Sequence, residues 1–396
     1  MDYTEIIDNA KRFAGDDKKT TTTVYDDLLV DRMHNRYTVT ILICFCIAIS
    51  TYDYLGDPLQ CWVPAQFTGN YEDYTNRLCY IQNTYHVSKN EFIPRDMNLR
   101  HERTLKYYQW MHFVLLLQAL FFSLPRFLWQ SFNDKFGLSI GVLVDASSQF
   151  EMFDADKERD AVIQYVSDCL QRYEEYINPL KYDRPSYFER LRRQCHLVCQ
   201  ARTGASLTCF YIFIKLLYII NLLFQLSFLQ YFLSYYDVSY FQYGFYVFRQ
   251  LISGLPFPES RLFPRITLCD FRIRELGEQH LYTVECILVI NIFLEKIYTV
   301  LWIWFTFLLL ITVIDLIRFL YRMFAHGSRD SFIRENLELM IKNNANDDRY
   351  IANFLNYFPI DNLFILRIMA SNSNSLITAE VLHELFRRKF YRDSDV

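Results

Sequence analysis

Residues 107–125 read YYQWMHFVLLLQALFFSLP, nineteen residues without a charge, bounded by Lys106 on one side and Arg126 on the other. A bilayer core about 30 Å thick needs roughly 20 mostly apolar helical residues, with about 17 as the short limit. Three other stretches approach or meet that length: Tyr37 to Tyr52 (16 residues), Leu216 to Tyr236 (21) and Ile297 to Ile314 (18). Buried helices of large soluble domains seldom run past about 14 wholly uncharged residues, so four such runs in one chain predict a four-span membrane protein. A mean hydropathy of +0.01 conceals this, because the apolar residues are bunched between strongly polar stretches.

The composition excludes several classes. With 52% hydrophobic and 18% aromatic residues, and only 10 Gly and 10 Pro, the 396-residue chain is not disordered, collagen-like or of low complexity. Lys plus Arg number 41 against 45 Asp plus Glu, and no long run of like charge occurs, so no nucleic-acid footprint is present. Residues 1–36 hold no apolar core of a signal peptide, and the first span is expected to act as the insertion signal. The expected organisation is an N-terminal segment (1–36), first span (37–55), first loop (56–106), second span (107–125), middle loop (126–206), third span (207–236), third loop (237–290), fourth span (291–318) and C-terminal domain (319–396).

Cysteine placement orients the chain better than the modest excess of Lys and Arg in the termini and middle loop. Of ten cysteines, Cys61 and Cys79 fall in the first loop and Cys269 and Cys286 in the third. Even pairs in facing loops predict disulfides and hence an oxidising exterior, which puts both termini in the cytoplasm. A zinc site would show short CxxC-like spacing with nearby His, and neither pair does. Cys195, His196 and Cys199 offer at most half a metal site, so neither a metal nor another cofactor is expected. Four cysteines allow three pairings, and spacing does not choose among them. No GxSxG, HExxH, P-loop or dinucleotide fingerprint occurs, which argues against an enzyme.

Residue patterns fill in the parts. Cys269 to Leu276 alternates apolar and charged residues like a strand with one buried face. Val162, Ile163, Val166, Leu170, Tyr173 and Ile177 recur at helical spacing; residues 331–342 and 378–390 do likewise, with Thr378 as an expected N-cap. The fold class expected is mainly α: a four-span helical bundle, a small disulfide-stapled β-containing extracellular layer and a helical cytoplasmic dome. Asp53, Glu295, Lys296 and Asp315 suit interfacial anchoring at span ends. Lys215, a turn or two inside the third span, needs a carboxylate or carbonyl partner. Asn221 and Gln225 share a helix face, with Gln230 about 90° round, a stripe suited to protein or water.

Residues 107–129 also carry a specific pattern. Tyr107, Tyr108, Gln109, Trp110, Phe113, Gln118, Ala119, Pro125 and Trp129 stand where the innexin family, the invertebrate gap-junction proteins, has them. LGDPLQCWVP (55–64), FPRITLCDF (263–271) and EKIYTVLWIWF (295–305) resemble the same family in its nematode-like form, covering about residues 26–322. The last 70 or so residues show no such motif. Met111 replaces the usual Val, and His112 stands at a family proline, which puts a proline kink there in question. Glu285, Val289 and Leu294 replace the common Gln, Pro and Asn.

The resemblance implies a homo- or hetero-oligomeric ring, an octamer, embedded in plasma-membrane lipid and docked to a ring on the adjoining cell at a gap junction. It implies loop-to-loop disulfides, Cys61 with Cys286 and Cys79 with Cys269. It further implies an N-terminal segment folded into the pore, placing Asp2, Glu5 and Asp8 on the permeation path; Asp53, at the end of the first span, is a further pore-lining candidate. Alternatives are a non-docking hemichannel or a four-span junctional scaffold. Neither facing loop has an N-x-Ser/Thr acceptor, whose glycan would obstruct docking. Ser394-Asp395-Val396 fits the carboxyl terminus that a PDZ scaffold captures.

Overall fold

The structure is a computed structural model and describes residues 27–87, 91–133, 138–148, 156–177, 204–233, 240–253, 263–275, 277–340, 351, 353–355, 358–373 and 375–390. Four helices among these are long and apolar enough to cross a membrane. They are α1 (Leu29–Leu55, with a π-helical turn at Met33–Thr38), α4 (Met111–Asn133, entered through a 3-10 turn at Tyr108–Trp110), α7 (Ser206–Leu233) and α9 (Ile290–Phe324). All four outrun the uncharged stretches that announced them, and Asp31, Arg126, Lys215 and Glu295 near the ends of those stretches find tertiary partners. Helix α1 starts eight residues before Tyr37, with Asp31 buried inside the protein. Helix α4 continues through Pro125 to Asn133. His112 lies in the first turn of α4, where a helix lacks intrahelical N–H partners and tolerates proline without bending. The loss of the family proline therefore removes no kink.

At one end of the bundle lies a five-stranded antiparallel sheet of order β1-β5-β4-β2-β3. The strands are β1 (Gln60–Trp62), β2 (Thr84–Tyr85), β3 (Thr104–Leu105), β4 (Ile266–Glu275) and β5 (Glu278–Ile287). Along β4 the alternation read from sequence is realised: Thr267, Cys269 and Phe271 are buried, while Arg272 and Arg274 are exposed. Gly277, with φ +90°, turns β4 into β5 in a conformation that only glycine adopts readily. Helix α2 (Gly69–Gln82) covers the sheet, and the short α3 (Met97–Glu102) precedes β3. Helix α8 (Tyr240–Ser253) lies against α9, where Gly244 sits so close to the Trp302 ring that a Cβ would fall 2.3 Å from it.

The opposite end is helical: α5 (Ile140–Ser148), α6 (Asp156–Ile177), α10 (His326–Glu338), α11 (Ile360–Asn372) and α12 (Ser375–Phe390). Val166, Leu170 and Tyr173 of α6 enter a core shared with Leu363, Phe364, Leu366, Val381 and Leu382. Burial of such a periodic apolar face is the main source of stability for helices of this length. Thr378 is not an N-cap. Helix α12 begins three residues earlier, at Ser375, and Thr378 is wholly buried inside the helix.

Candidate functional site

Two disulfides join the loops at the sheet end, Cys61 with Cys286 and Cys79 with Cys269, across 225 and 190 residues of sequence. Cys61 and Cys286 face each other in register across β1 and β5, so the bond staples the first loop to the edge of the third. Cys79, on α2, reaches down to β4. The sulfurs of Cys61, Cys79 and Cys286 lie within 4.8 Å of one another, which makes the two bonds neighbours in one buried knot.

Polar contacts complete the knot. Asp270 of β4 accepts from Arg100 Nη1 at 2.8 Å, Thr283 Oγ1 at 2.7 Å and the Tyr85 hydroxyl at 3.1 Å. Burial, reinforced by the Asp270 charge, pushes the Tyr85 phenol up, so it stays a neutral donor. The Cys61 N–H donates to Asn76 Oδ1 at 2.8 Å, and Arg265 pairs with Glu295 at 3.1 Å, tying the sheet to the first turns of α9.

The motif before the second span works here as a cap. Tyr108 is fully buried and donates to the Tyr80 carbonyl at 3.1 Å, while the Gln109 amide donates to the carbonyls of Tyr80 and Ile81. Those carbonyls belong to the last turn of α2, which has no intrahelical partner for them. Tyr107 meets Phe263 edge-on. Trp110 is exposed and Pro125 buried in the bundle, and at the far end Trp129 packs edge-on against Tyr211 and Phe364.

Asp53 stands between α1, α2 and α4. Its Oδ1 accepts from the Tyr80 hydroxyl at 3.0 Å, and its Oδ2 is 3.7 Å from His112 Nδ1. Tyr80 and His112 are partners that no local pattern in the sequence signalled. Asp2, Glu5, Asp8, Ser394 and Val396, like Cys195, His196 and Cys199, lie outside the described residues.

Lys215 has two partners. Its ammonium lies 3.0 Å from Asp31 Oδ1 and 2.6 Å from Asp315 Oδ2, and Tyr211 donates its hydroxyl to Asp31 Oδ2. The lysine side chain is 1% exposed, so this cluster pins α1, α7 and α9 together inside the bundle. His34 Nε2 and Thr312 Oγ1, 2.8 Å apart, and the Trp304 indole donating to Thr38 Oγ1 at 2.9 Å, add two further α1–α9 ties. Of the stripe in the third span, Gln225 donates to Asn221 within the helix at 3.4 Å.

At the helical end, Asp361 caps a helix that is remote in sequence. Its carboxylate accepts from Leu207 N at 3.2 Å, Thr208 N at 2.9 Å, Thr208 Oγ1 at 2.8 Å and the Tyr173 hydroxyl at 3.2 Å. Burial pushes the Asp361 carboxyl up, and the Thr208, Leu207 and Tyr173 donors pull it back down. Its own N–H donates to the Gly204 carbonyl at 2.8 Å.

Comparison with known proteins agrees with this architecture. The innexin family model matches residues 26–389, so the C-terminal helices that carried no recognised motif belong to the family pattern as well. Innexin-3 of Caenorhabditis elegans is 33% identical over 368 residues, covering 92% of this chain and 84% of that protein. Innexin unc-9 of the same organism is 33% identical over 362 residues, covering 91% and 92%. Innexin-11, also from C. elegans, is 31% identical over 389 residues, covering 93% and 80%. Four apolar spans, a stapled sheet at one end, a helical module at the other and a family match over nearly the whole length lead to one conclusion: the chain belongs to the innexin family, which forms gap-junction channels.

Proposed function

We propose that the protein is a subunit of a gap-junction channel that passes ions and small molecules passively between adjoining cells. The sheet end faces the cell exterior and both termini lie in the cytoplasm of the plasma membrane. The observation that carries this is the pair of disulfides fusing the first and third loops into one rigid sheet. Disulfides persist in an oxidising exterior, whereas Cys44, Cys46, Cys169 and Cys209, which belong to neither bond, lie in the spans and the helical module. Trp62, Ile81 and Phe92, on β1 and the first loop, are 84%, 70% and 99% exposed in the single subunit, apolar area suited to burial in an assembly.

In this proposal the subunits form a ring, of eight by resemblance, that docks to a ring on the opposing cell. Asp2, Glu5 and Asp8 line the cytoplasmic pore mouth, Asp53 takes part through the Tyr80 and His112 contacts that hold it at the end of the first span, and Ser394 and Val396 offer a PDZ scaffold a docking tail. A non-docking hemichannel shares every feature but docking; the absence of a glycosylation acceptor in both loops favours docking. Paired recordings from two cells expressing only this protein test the choice. Junctional current is expected. Single-cell membrane current without junctional current would assign the hemichannel.

A further inference from the structure

A cavity of about 650 Å³ opens where the last turns of α9 meet α10 and α11. Its polar lining includes Arg322, Arg367, Ser328, Ser331, Tyr321 and Glu335, with Ser371 beside them. Arg322 ends the last span; Arg367 comes from α11, which is no part of a span, and so is not explained as an interfacial anchor.

The charges in this corner are unbalanced. Among the described residues, Arg322, Arg367 and the adjacent Arg329 form no salt bridge with a carboxylate. Arg367 Nη2 donates to the Ser328 carbonyl at 2.9 Å, its guanidinium stacks 4.9 Å from the Phe332 ring, and its buried Nε has no partner. Arg329 donates only a long 3.4 Å bond to the Phe358 carbonyl, and its buried Nε is also unpartnered. Burial, with the Arg322 and Arg329 charges nearby, pushes the Arg367 guanidinium down to about 10, the mark of a cation held without a counter-ion. The one lining carboxylate among the described residues, Glu335, is exposed and accepts from Ser331 at 2.6 Å. Helix α10 starts at His326 without a side-chain cap, adding its positive dipole end to the same corner, and Gly327 on the cavity wall leaves open space where a side chain would stand.

Leu28, Phe319, Met323 and Phe364 give the wall an apolar part. Helix α9 has 35 residues, roughly 52 Å at 1.5 Å each, against a bilayer core of about 30 Å. The cavity therefore sits where the helix leaves the membrane, with guanidiniums above an apolar floor.

We propose that this cavity binds a phosphate group, held in a fork by Arg322 and Arg367 with the serine hydroxyls as further donors. Planar guanidiniums and hydroxyls match phosphate oxygens, and an anion would supply the charge the corner lacks. A phosphorylated lipid headgroup and a free phosphate share this chemistry.

The full-length protein, reconstituted in phosphatidylcholine nanodiscs with and without a few per cent phosphatidylinositol 4,5-bisphosphate, tests the site. Lipid retained after detergent extraction is counted by native mass spectrometry, and melting temperature is read in inositol 1,4,5-trisphosphate and in inorganic phosphate. Retention of the bisphosphate lipid is expected, with a loss of about tenfold in R322Q/R367Q and much less in Arg367→Lys, which keeps the charge. Stabilisation by the soluble phosphates, without selective lipid retention, would support the site and assign it to a free ligand. Arg322→Gln, at an exposed position, serves if the double variant does not fold. Neither lipid retention nor stabilisation by a soluble phosphate, or equal binding by folded wild type and variants, would overturn the proposal.

Discussion

Asp361 accepts two hydrogen bonds from Thr208, one from its backbone N–H at 2.9 Å and one from its hydroxyl at 2.8 Å, and so caps a membrane helix from the far side of the C-terminal module. Ala205, immediately before that helix, has no side chain able to do this. The same carboxylate holds Tyr173 of α6. One buried group therefore joins the third span, the middle loop and the C-terminal helices.

Asp361→Ala is expected to destabilise the protein by about 2–3 kcal/mol, because buried N–H and hydroxyl donors lose their acceptor. Asp361→Asn, which keeps one oxygen, should cost less. Melting temperature and protease sensitivity of the C-terminal module measure both; equal stability of Asp361→Ala and wild type would refute the capping role.

Gly204 has φ +56°, and a Cβ there would lie 3.1 Å from Pro359 Cβ. Gly204→Ala should lower stability by about 1–2 kcal/mol through left-handed backbone strain. A melting curve indistinguishable from wild type would count against that strain.

Lys215→Met leaves the buried Asp31 and the half-buried Asp315 without their cation, an expected loss of about 3 kcal/mol. Adding Asp31→Asn and Asp315→Asn should restore surface expression in part, since the uncompensated charges go too. Detergent-extracted melting and surface biotinylation distinguish this from simple cavity formation, in which the added changes would not help.

Reducing agent, or Ser at any one of Cys61, Cys79, Cys269 and Cys286, should weaken docking and lower junctional current while surface insertion persists. In the chain-entropy account each bond restricts the unfolded loops by about 5 kcal/mol, whereas the spans satisfy their own backbone groups. Full coupling in all four single variants would remove the disulfides from docking.

For the termini, neutralising Asp2, Glu5 and Asp8 together should weaken a cation preference, read as a changed reversal potential under a salt gradient. Adding one Gly after Val396 should displace the carboxylate from a PDZ groove and disperse plaques without altering single-channel current. An unchanged reversal potential and unchanged plaques, respectively, would dismiss these two roles.

The sequence revealed features governed by local pattern. Uncharged length announced the spans, alternation announced β4, and the depth of Lys215 announced its need for a partner. It did not reveal which partners, since Asp31 and Asp315 lie 184 and 100 residues away. For the same reason the start of α1 was hidden: Asp31 and Arg32 look like solvent-facing residues until Lys215, Tyr211 and Asn372 engage them. Capping rules look within four residues, so they favoured Thr378 and missed Asp361. The Tyr108–Gln109 motif was recognisable as a family trait, but its task of holding the end of α2 emerges only in three dimensions.

Helix α9 contains neither glycine nor proline from Ile290 to Phe324, and those are the usual places where a helix bends. It is thus a stiff rod, gripped by Arg265 through Glu295 at one tip and reaching the arginine-lined cavity at the other. A twist imposed at the sheet would meet no glycine or proline joint before Arg322. In the proposed assembly, where the sheet docks and the cavity holds a phosphate, this rod is the physical link between the two sites, and thermodynamics requires any coupling along it to run both ways.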